Sequence, residues 1–318
     1  MFFKNRKYNK LIEEARSYVS KQDFENAIKI YEEAFKIKTI LKDYIMYGCL
    51  LIDLNELNKA EPIFKELDEQ FDFYEIHFSL GVIYEKTNRK YDAMEQYKKV
   101  IKAEPNFDQA YFSLAYMYDE MSEDNKENLE SENTRNAINY YNEVLRIDEN
   151  NFWANINLGS IYERNDKNEE ALKYFLKAYN DGNSQTKDMV CYNLGVAYYK
   201  LKQYDKSLKY YNEELERENP FPSTYYNLGI LYKEGYSDYT KAKYFYLKAL
   251  EKNQEDYNVW YNLGCVHALE NNHKEAFECF KYIYYKNKNY LNYLDKDKEL
   301  EEFRKTTYYA QLKGGMLN

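Results

Sequence analysis

Between residues 74 and 107 apolar side chains recur at helical spacing: Ile76, Leu80, Ile83 and Tyr84. A polar stretch from Glu85 to Lys90 follows. A second helical pattern then begins at Tyr91, Ala93, Met94, Tyr97, Val100 and Ile101, and Pro105 ends it. Apolar residues three and four apart mark one face of an α-helix. The stretch therefore predicts two antiparallel helices joined by a tight turn, about 34 residues in all. The same alternation runs along the chain, and its steadiest marker is a small residue. Ala15, Gly48, Gly81, Ala115, Gly159, Gly195, Gly229 and Gly264 stand 33, 33, 34, 44, 36, 34 and 35 residues apart. Glycine inside a helix costs about 1 kcal/mol relative to alanine, so its return at one register predicts a close approach to the backbone. A second small residue follows twelve positions on, as Ala27, Ala60, Ala93, Ala171, Ser207 and Ala276. Ala242 comes thirteen after Gly229, and Ala137 twenty-two after Ala115. The expectation is that small faces small, bringing the two helices almost backbone to backbone. One hairpin cannot bury its own apolar face, so each must stack on the next.

This pattern resembles the tetratricopeptide repeat (TPR) family over nearly the whole chain. The residues that carry the resemblance are Leu80-Gly81, Tyr84, Ala93, Tyr97, Val100 and Pro105. They recur as Leu158-Gly159, Tyr162, Ala171, Phe175, Ala178, and as Leu228-Gly229, Tyr232, Ala242, Tyr246, Ala249. The resemblance implies an all-α protein, a right-handed α-solenoid (superhelix) of antiparallel helix pairs. It also points to a bacterial protein with about eight repeats and a C-terminal capping helix. The repeats start near Tyr8, Leu41, Tyr74, Asp108, Phe152, Asp188, Pro222 and Tyr257, so the array is expected over residues 8–290. A basic segment, residues 1–7, precedes it. Residues 291–313 keep helical spacing at Leu294, Leu300, Phe303 and Tyr308 and read as the capping helix, with a frayed tail at 314–318.

Departures from the family pattern are informative. Most inter-repeat turns lack the family's proline, Pro62 falls within a second helix and predicts a late start or kink there, and His267 stands where Tyr is usual. Repeat four carries about ten extra residues near 122–133, among them Glu123, Asp124, Glu127, Glu130 and Glu132. A solvated hairpin tip is the favoured reading of that acidic insertion, with a docking loop as the alternative.

Composition narrows the function classes. The chain has 318 residues, 44% hydrophobic and 31% charged, with four prolines, which suits a folded chain. Its 39 tyrosines suit half-buried positions between stacked helices, though AT-rich coding bias explains much of the excess. A net charge of −9 disfavours nucleic acid, which needs basic surface. The first ten residues carry Lys4, Arg6, Lys7 and Lys10, but only Phe2 and Phe3 as an apolar run, too short for a signal core or a membrane span. Cys49, Cys191, Cys265 and Cys279 show no metal-ligand spacing and read as reduced residues of a cytoplasmic protein. No cofactor or metal is implied. His77, His267 and His273 form no catalytic motif, and the array leaves no room for a catalytic domain, so the reading is non-enzymatic.

In the family, the first helices form the concave wall, and the resemblance places the groove two and three positions before the small residue. Two before it stand Asn157, Asn193, Asn227 and Asn262 in repeats five to eight, whereas repeats one to four have Glu13, Met46, Ser79 and Ser113. Three before it stand Tyr192, Tyr226 and Tyr261. An asparagine amide both donates and accepts, so a row of them would hold a peptide backbone with little regard to its sequence. The alternative is that the row braces neighbouring repeats. The family's carboxylate clamp for chaperone tails is disfavoured, because its flanking Lys and Arg are missing from the groove positions. The expected function is a protein–protein interaction scaffold that binds a peptide segment or helix of a partner in the groove. A self-assembling homo-oligomer, or a peptide-sensing module lacking its own effector domain, is the alternative.

Overall fold

The structure is a computed structural model. Residues 1, 125, 127, 182, 183, 287–290 and 315–318 lie outside the described residues, as do the side chains of 2, 3, 181, 184–189 and 291. Residues 315–318 of the expected frayed tail and part of the insertion fall there. Two compact units divide the chain, Met1–Glu149 and Asn150–Asn318.

The first unit is a succession of helix hairpins: α1 (Phe2–Ser20) with α2 (Phe24–Phe35), α3 (Leu41–Asp53) with α4 (Leu57–Asp68), α5 (Tyr74–Lys86) with α6 (Lys90–Ala103), and α7 (Asp108–Asp124) with α8 (Glu132–Ile147). Each hairpin packs on its successor around a continuous apolar core that runs from Tyr8 to Met117. The basic start of the chain is part of α1, which begins at Phe2. Helix α4 runs without a break through Pro62. Pro62 and Asn58, whose carbonyl loses its amide partner, are both exposed, so water replaces the missing donor and the expected late start does not occur. At the base of the insertion the buried hydroxyls of Ser122 and Thr134 hydrogen-bond at 2.5 Å, pinning the end of α7 to the start of α8.

The second unit repeats the scheme with α9 (Phe152–Arg164) and α10 (Asn168–Asp181), α11 (Ser184–Lys200) and α12 (Tyr204–Leu215), α13 (Pro222–Ile230) and α14 (Tyr239–Lys252), and α15 (Tyr257–Leu269) and α16 (His273–Lys286). It ends in α17 (Leu291–Lys296), a 3₁₀ turn (Lys298–Leu300), α18 (Glu301–Arg304) and α19 (Thr307–Gly314). The expected single capping helix is thus several short pieces. They bury Leu294, Leu300, Phe303 and Leu312 against Cys265, Ala276, Phe280 and Ile283 of the last hairpin.

One turn joins the two helices of nearly every hairpin. Gln22, Asn55, Asn88, Asp166, Lys202 and Asn271 each stand seven residues after the small position, with φ between 57° and 61°. Left-handed backbone is tolerated by Asn and Asp because their short polar side chains bond locally. The next amide then reaches back to the first helix, as Arg89 N to Tyr84 O at 2.8 Å and Lys167 N to Tyr162 O at 2.9 Å, which closes the helix end. In repeat seven the left-handed residue is Ser237, one place late, because α13 continues into a π turn over Leu231–Gly235. The extra residue between Gly229 and Ala242 is absorbed there.

The body that approaches each small residue is an aromatic ring from the second helix. A Cβ added at Gly81 would lie 2.6 Å from Tyr97 Cε1, at Gly48 2.7 Å from Phe64 Cε2, and at Gly264 2.6 Å from Phe280 Cε1. The same relation holds for Gly159 with Phe175, Gly195 with Tyr211 and Gly229 with Tyr246. These rings are fully buried. The small second-helix residue lies against the first helix as well, since Ser207 Oγ donates to Gly195 O at 2.7 Å. The small-on-small expectation is therefore corrected: the missing side chain makes room chiefly for a ring.

Candidate functional site

Helices α9, α11, α13 and α15 carry the residues singled out by sequence. Asn157 lies on α9, Tyr192 and Asn193 on α11, Tyr226 and Asn227 on α13, and Tyr261 and Asn262 on α15, all half-buried. Each tyrosine leans on the ring that fills the glycine notch of its own repeat: Tyr192 on Tyr211 at 6.4 Å, Tyr226 on Tyr246 at 6.1 Å, Tyr261 on Phe280 at 5.8 Å between centroids. The packing fixes where each hydroxyl goes, and the asparagine of the following repeat meets it. Asn227 Nδ2 donates to Tyr192 OH at 3.2 Å, and Asn262 Nδ2 donates to Tyr226 OH at 3.1 Å. Asn262 Nδ2 also donates to Asn258 O at 3.0 Å, which uses both of its amide protons. Tyr261 has no following repeat, and its hydroxyl donates to Asp297 Oδ2 of the C-terminal segment at 2.6 Å.

The row is therefore differentiated. Asn227 and Asn262 couple neighbouring repeats through their amide nitrogens. The Asn193 side chain makes no hydrogen bond with any described residue, because the residue three before the small position of repeat five is Ile156 and offers no hydroxyl. It lines a cavity of about 150 Å³ with Ser160, Glu163, Phe175, Tyr192 and Val196. Beside it Lys200 Nζ meets Glu163 Oε1 at 2.5 Å. This corner presents an amide with free donors and acceptor, a hydroxyl, apolar walls and a flanking ion pair.

Repeats seven and eight look different. Lys233, on the π turn, is 7% exposed, and its Nζ lies 2.7 Å from Glu299 Oε2 and 3.9 Å from Glu234 Oε1. Burial alone would lower its pKa, but the hydrogen bond and charge of Glu299 outweigh this and raise it. Burial, Cys265 and Asp297 push the Tyr261 hydroxyl upward. Cys265, Asp297 and Glu299 offer ligand atoms within 4.8 Å of one another. They do not fit a metal, because an ammonium and a phenol already satisfy the two carboxylates, and burial raises the thiol. Sequence reading missed Lys233, Asp297 and Glu299. Its one available signal was the thirteen-residue step from Gly229 to Ala242.

The equivalent positions of the first unit share no such chemistry. Glu13 and Met46 are exposed, and Ser79 Oγ turns back to Glu75 O at 2.8 Å. His77 is buried, with ring nitrogens 2.7 Å from Asp72 and 3.0 Å from Asp68, a structural brace between α4 and α5. Among the described residues no helix is long and apolar enough to cross a membrane.

Comparison with known proteins agrees with this architecture. Models of the tetratricopeptide repeat match residues 11–39, 74–107 and 154–180, residues 189–219, and residues 245–278. No curated protein matches the sequence. Among solved structures, a tetratricopeptide repeat protein of Parabacteroides merdae is 14% identical, with 81% of this chain and 98% of that chain covered and a TM-score of 0.55. Pseudomonas aeruginosa pilF is 17% identical, with 73% and 96% covered and a TM-score of 0.56. PilW, a type IV pilus biogenesis factor, is 18% identical, with 72% and 97% covered and a TM-score of 0.55. At these identities the likeness is one of fold. With the matched segments spread through both units and one hairpin geometry repeated in each, the chain carries tetratricopeptide repeats in both units.

Proposed function

We propose that this protein is a non-enzymatic interaction scaffold that holds an extended segment of a partner protein against the first helices of repeats five and six. The observation that carries the reading is the Asn193 corner. Its amide keeps its full hydrogen-bonding capacity, while Asn227 and Asn262 each give an Nδ2 proton to a tyrosine. A peptide unit presents one donor and one acceptor, which an asparagine side chain pairs at once. The Ser160 hydroxyl and the apolar sides of Phe175, Tyr192 and Val196 surround the same cavity. Such a site reads backbone more than side chains, so its ligands would share extended conformation rather than one sequence.

The test is selection of a phage-displayed peptide library on the full chain, followed by calorimetric titration of enriched peptides. Enriched peptides should lose about tenfold in affinity on Asn193→Ala, as expected for one or two hydrogen bonds to a ligand. Equal affinity for wild type and variant refutes the assignment.

A further inference from the structure

The C-terminal segment lies on the same first-helix face two repeats further on, and it brings two carboxylates with it. Asp297 accepts from Tyr261 OH at 2.6 Å, and Glu299 accepts from Lys233 Nζ at 2.7 Å. The segment is shaped to present them. Asp297 Oδ1 caps the Glu299 amide at 2.9 Å, and Arg304 holds the turn from behind by donating to Leu294 O at 3.0 Å and Asp297 O at 2.5 Å. The receiving side is equally specialised. In repeat three the residue four after the small position, Glu85, accepts from the hydroxyl of the notch ring, Tyr97, at 2.6 Å. In repeat seven that residue is Lys233, carried on the π turn and turned to Glu299 instead. Tyr246, the ring of that repeat, is left with a fully buried hydroxyl that has no hydrogen-bond partner among the described residues. Its pKa is raised, first by burial, and its ring lies 6.1 Å from that of Tyr226 between centroids. Irregular helical turns of this kind concentrate at functional positions. Lys233 and Tyr261 are both donors, and their acceptors Glu299 and Asp297 come from one short acidic turn.

We infer that repeats seven and eight form a second binding site, selective for an acidic segment of Asp-x-Glu pattern, and that the chain's own Asp297–Glu299 turn fills it in cis. A partner segment with the same two carboxylates competes for Lys233 and Tyr261. The tethered turn has the advantage of a high effective concentration, so the site opens only to a ligand that is abundant or held nearby. The inference rests on the first-helix face being the binding face, but not on Asn193.

The probe is a fluorescein-labelled synthetic peptide spanning residues 293–304, titrated into the full chain and followed by anisotropy. The Asp297→Asn/Glu299→Gln double variant should bind it about tenfold or more tighter than wild type, because the cis competitor is weakened. Adding Lys233→Met should abolish that gain, and a peptide carrying Asn and Gln at the two acidic positions should not bind. Equal binding by wild type and the double variant, with unchanged circular dichroism, overturns the inference. If the double variant does not fold, the wild-type chain decides. Excess peptide should accelerate amide exchange in residues 294–304, and unaltered exchange there overturns it. Neither readout involves repeats five and six, so failure here is distinct from failure of the Asn193 site.

Discussion

Alanine is a better helix former than glycine by about 1 kcal/mol, so Gly81→Ala would stabilise α5 if nothing approached it. The structure says otherwise. The new methyl carbon would sit 2.6 Å from Tyr97 Cε1, 2.9 Å from Cδ1 and 3.0 Å from Cζ, where ordinary contact begins near 3.4 Å. Tyr97 has little room to retreat. It is fully buried, its hydroxyl is tied to Glu85 at 2.6 Å, and Phe78 lies 5.7 Å away between centroids. Overpacking of this kind costs about 1–3 kcal/mol. Set against the propensity gain, the net loss is about 1 kcal/mol. It stays modest because Ala15 and Ala115 occupy the same position opposite the buried rings of Tyr31 and Tyr141, so the repeat can adjust to one methyl. The assay is urea unfolding followed by circular dichroism, with midpoints compared at equal slope. Combining Gly81→Ala with Tyr97→Leu should reveal coupling of about 1 kcal/mol, since the shortened side chain removes the clash. A single variant more stable than wild type by the full propensity difference would refute the ring-in-notch account.

Two further outcomes follow from charge and burial. The Glu61 carboxyl is held down at about 2, chiefly by paired hydrogen bonds from Arg89 at 2.7 and 2.9 Å, aided by Lys65 at 2.8 Å. Its folded pKa lies below the unfolded value near 4.3, so its contribution is complete above that pH and is lost as pH falls through about 2. Glu61→Gln should therefore cost about 1 kcal/mol at neutral pH after solvent screening, with the gap closing towards pH 2; a pH-independent gap contradicts this. Among the cysteines, burial pushes Cys279 up to about 12 and raises Cys265 and Cys49 as well, but Cys49 is only half-buried. Iodoacetamide near neutral pH should label Cys49 first, as peptide mass spectrometry would show, and prior labelling of Cys279 would contradict the packing of the last hairpin.

The sequence carried the repeat register clearly, because a glycine inside a helix is costly and its recurrence needs a packing reason. It carried the hairpins too, because 3.6-residue periodicity is local. What escaped it depends on partners far away along the chain. That a ring rather than a small residue fills each glycine notch follows from side-chain direction, although Tyr31, Phe64, Tyr97, Phe175, Tyr211 and Phe280 all stand sixteen after the small position. The bonds from Asn227 to Tyr192 and from Asn262 to Tyr226 cross 35 and 36 residues and depend on how repeats stack. The row looked uniform in sequence, and only its contacts divide bracing members from Asn193. The π turn was visible as one surplus residue, but not as the device that buries Lys233.

The central claim is that division of labour within the asparagine row, and one paired measurement tests it. Asn193→Ala and Asn262→Ala are each unfolded in urea and titrated calorimetrically with a library-selected peptide. Asn262→Ala should lose about 1 kcal/mol of stability, for its bonds to Tyr226 and Asn258, and keep its affinity. Asn193→Ala should keep its stability and lose about tenfold in affinity. The reverse assignment, or two variants that behave alike, would contradict the account.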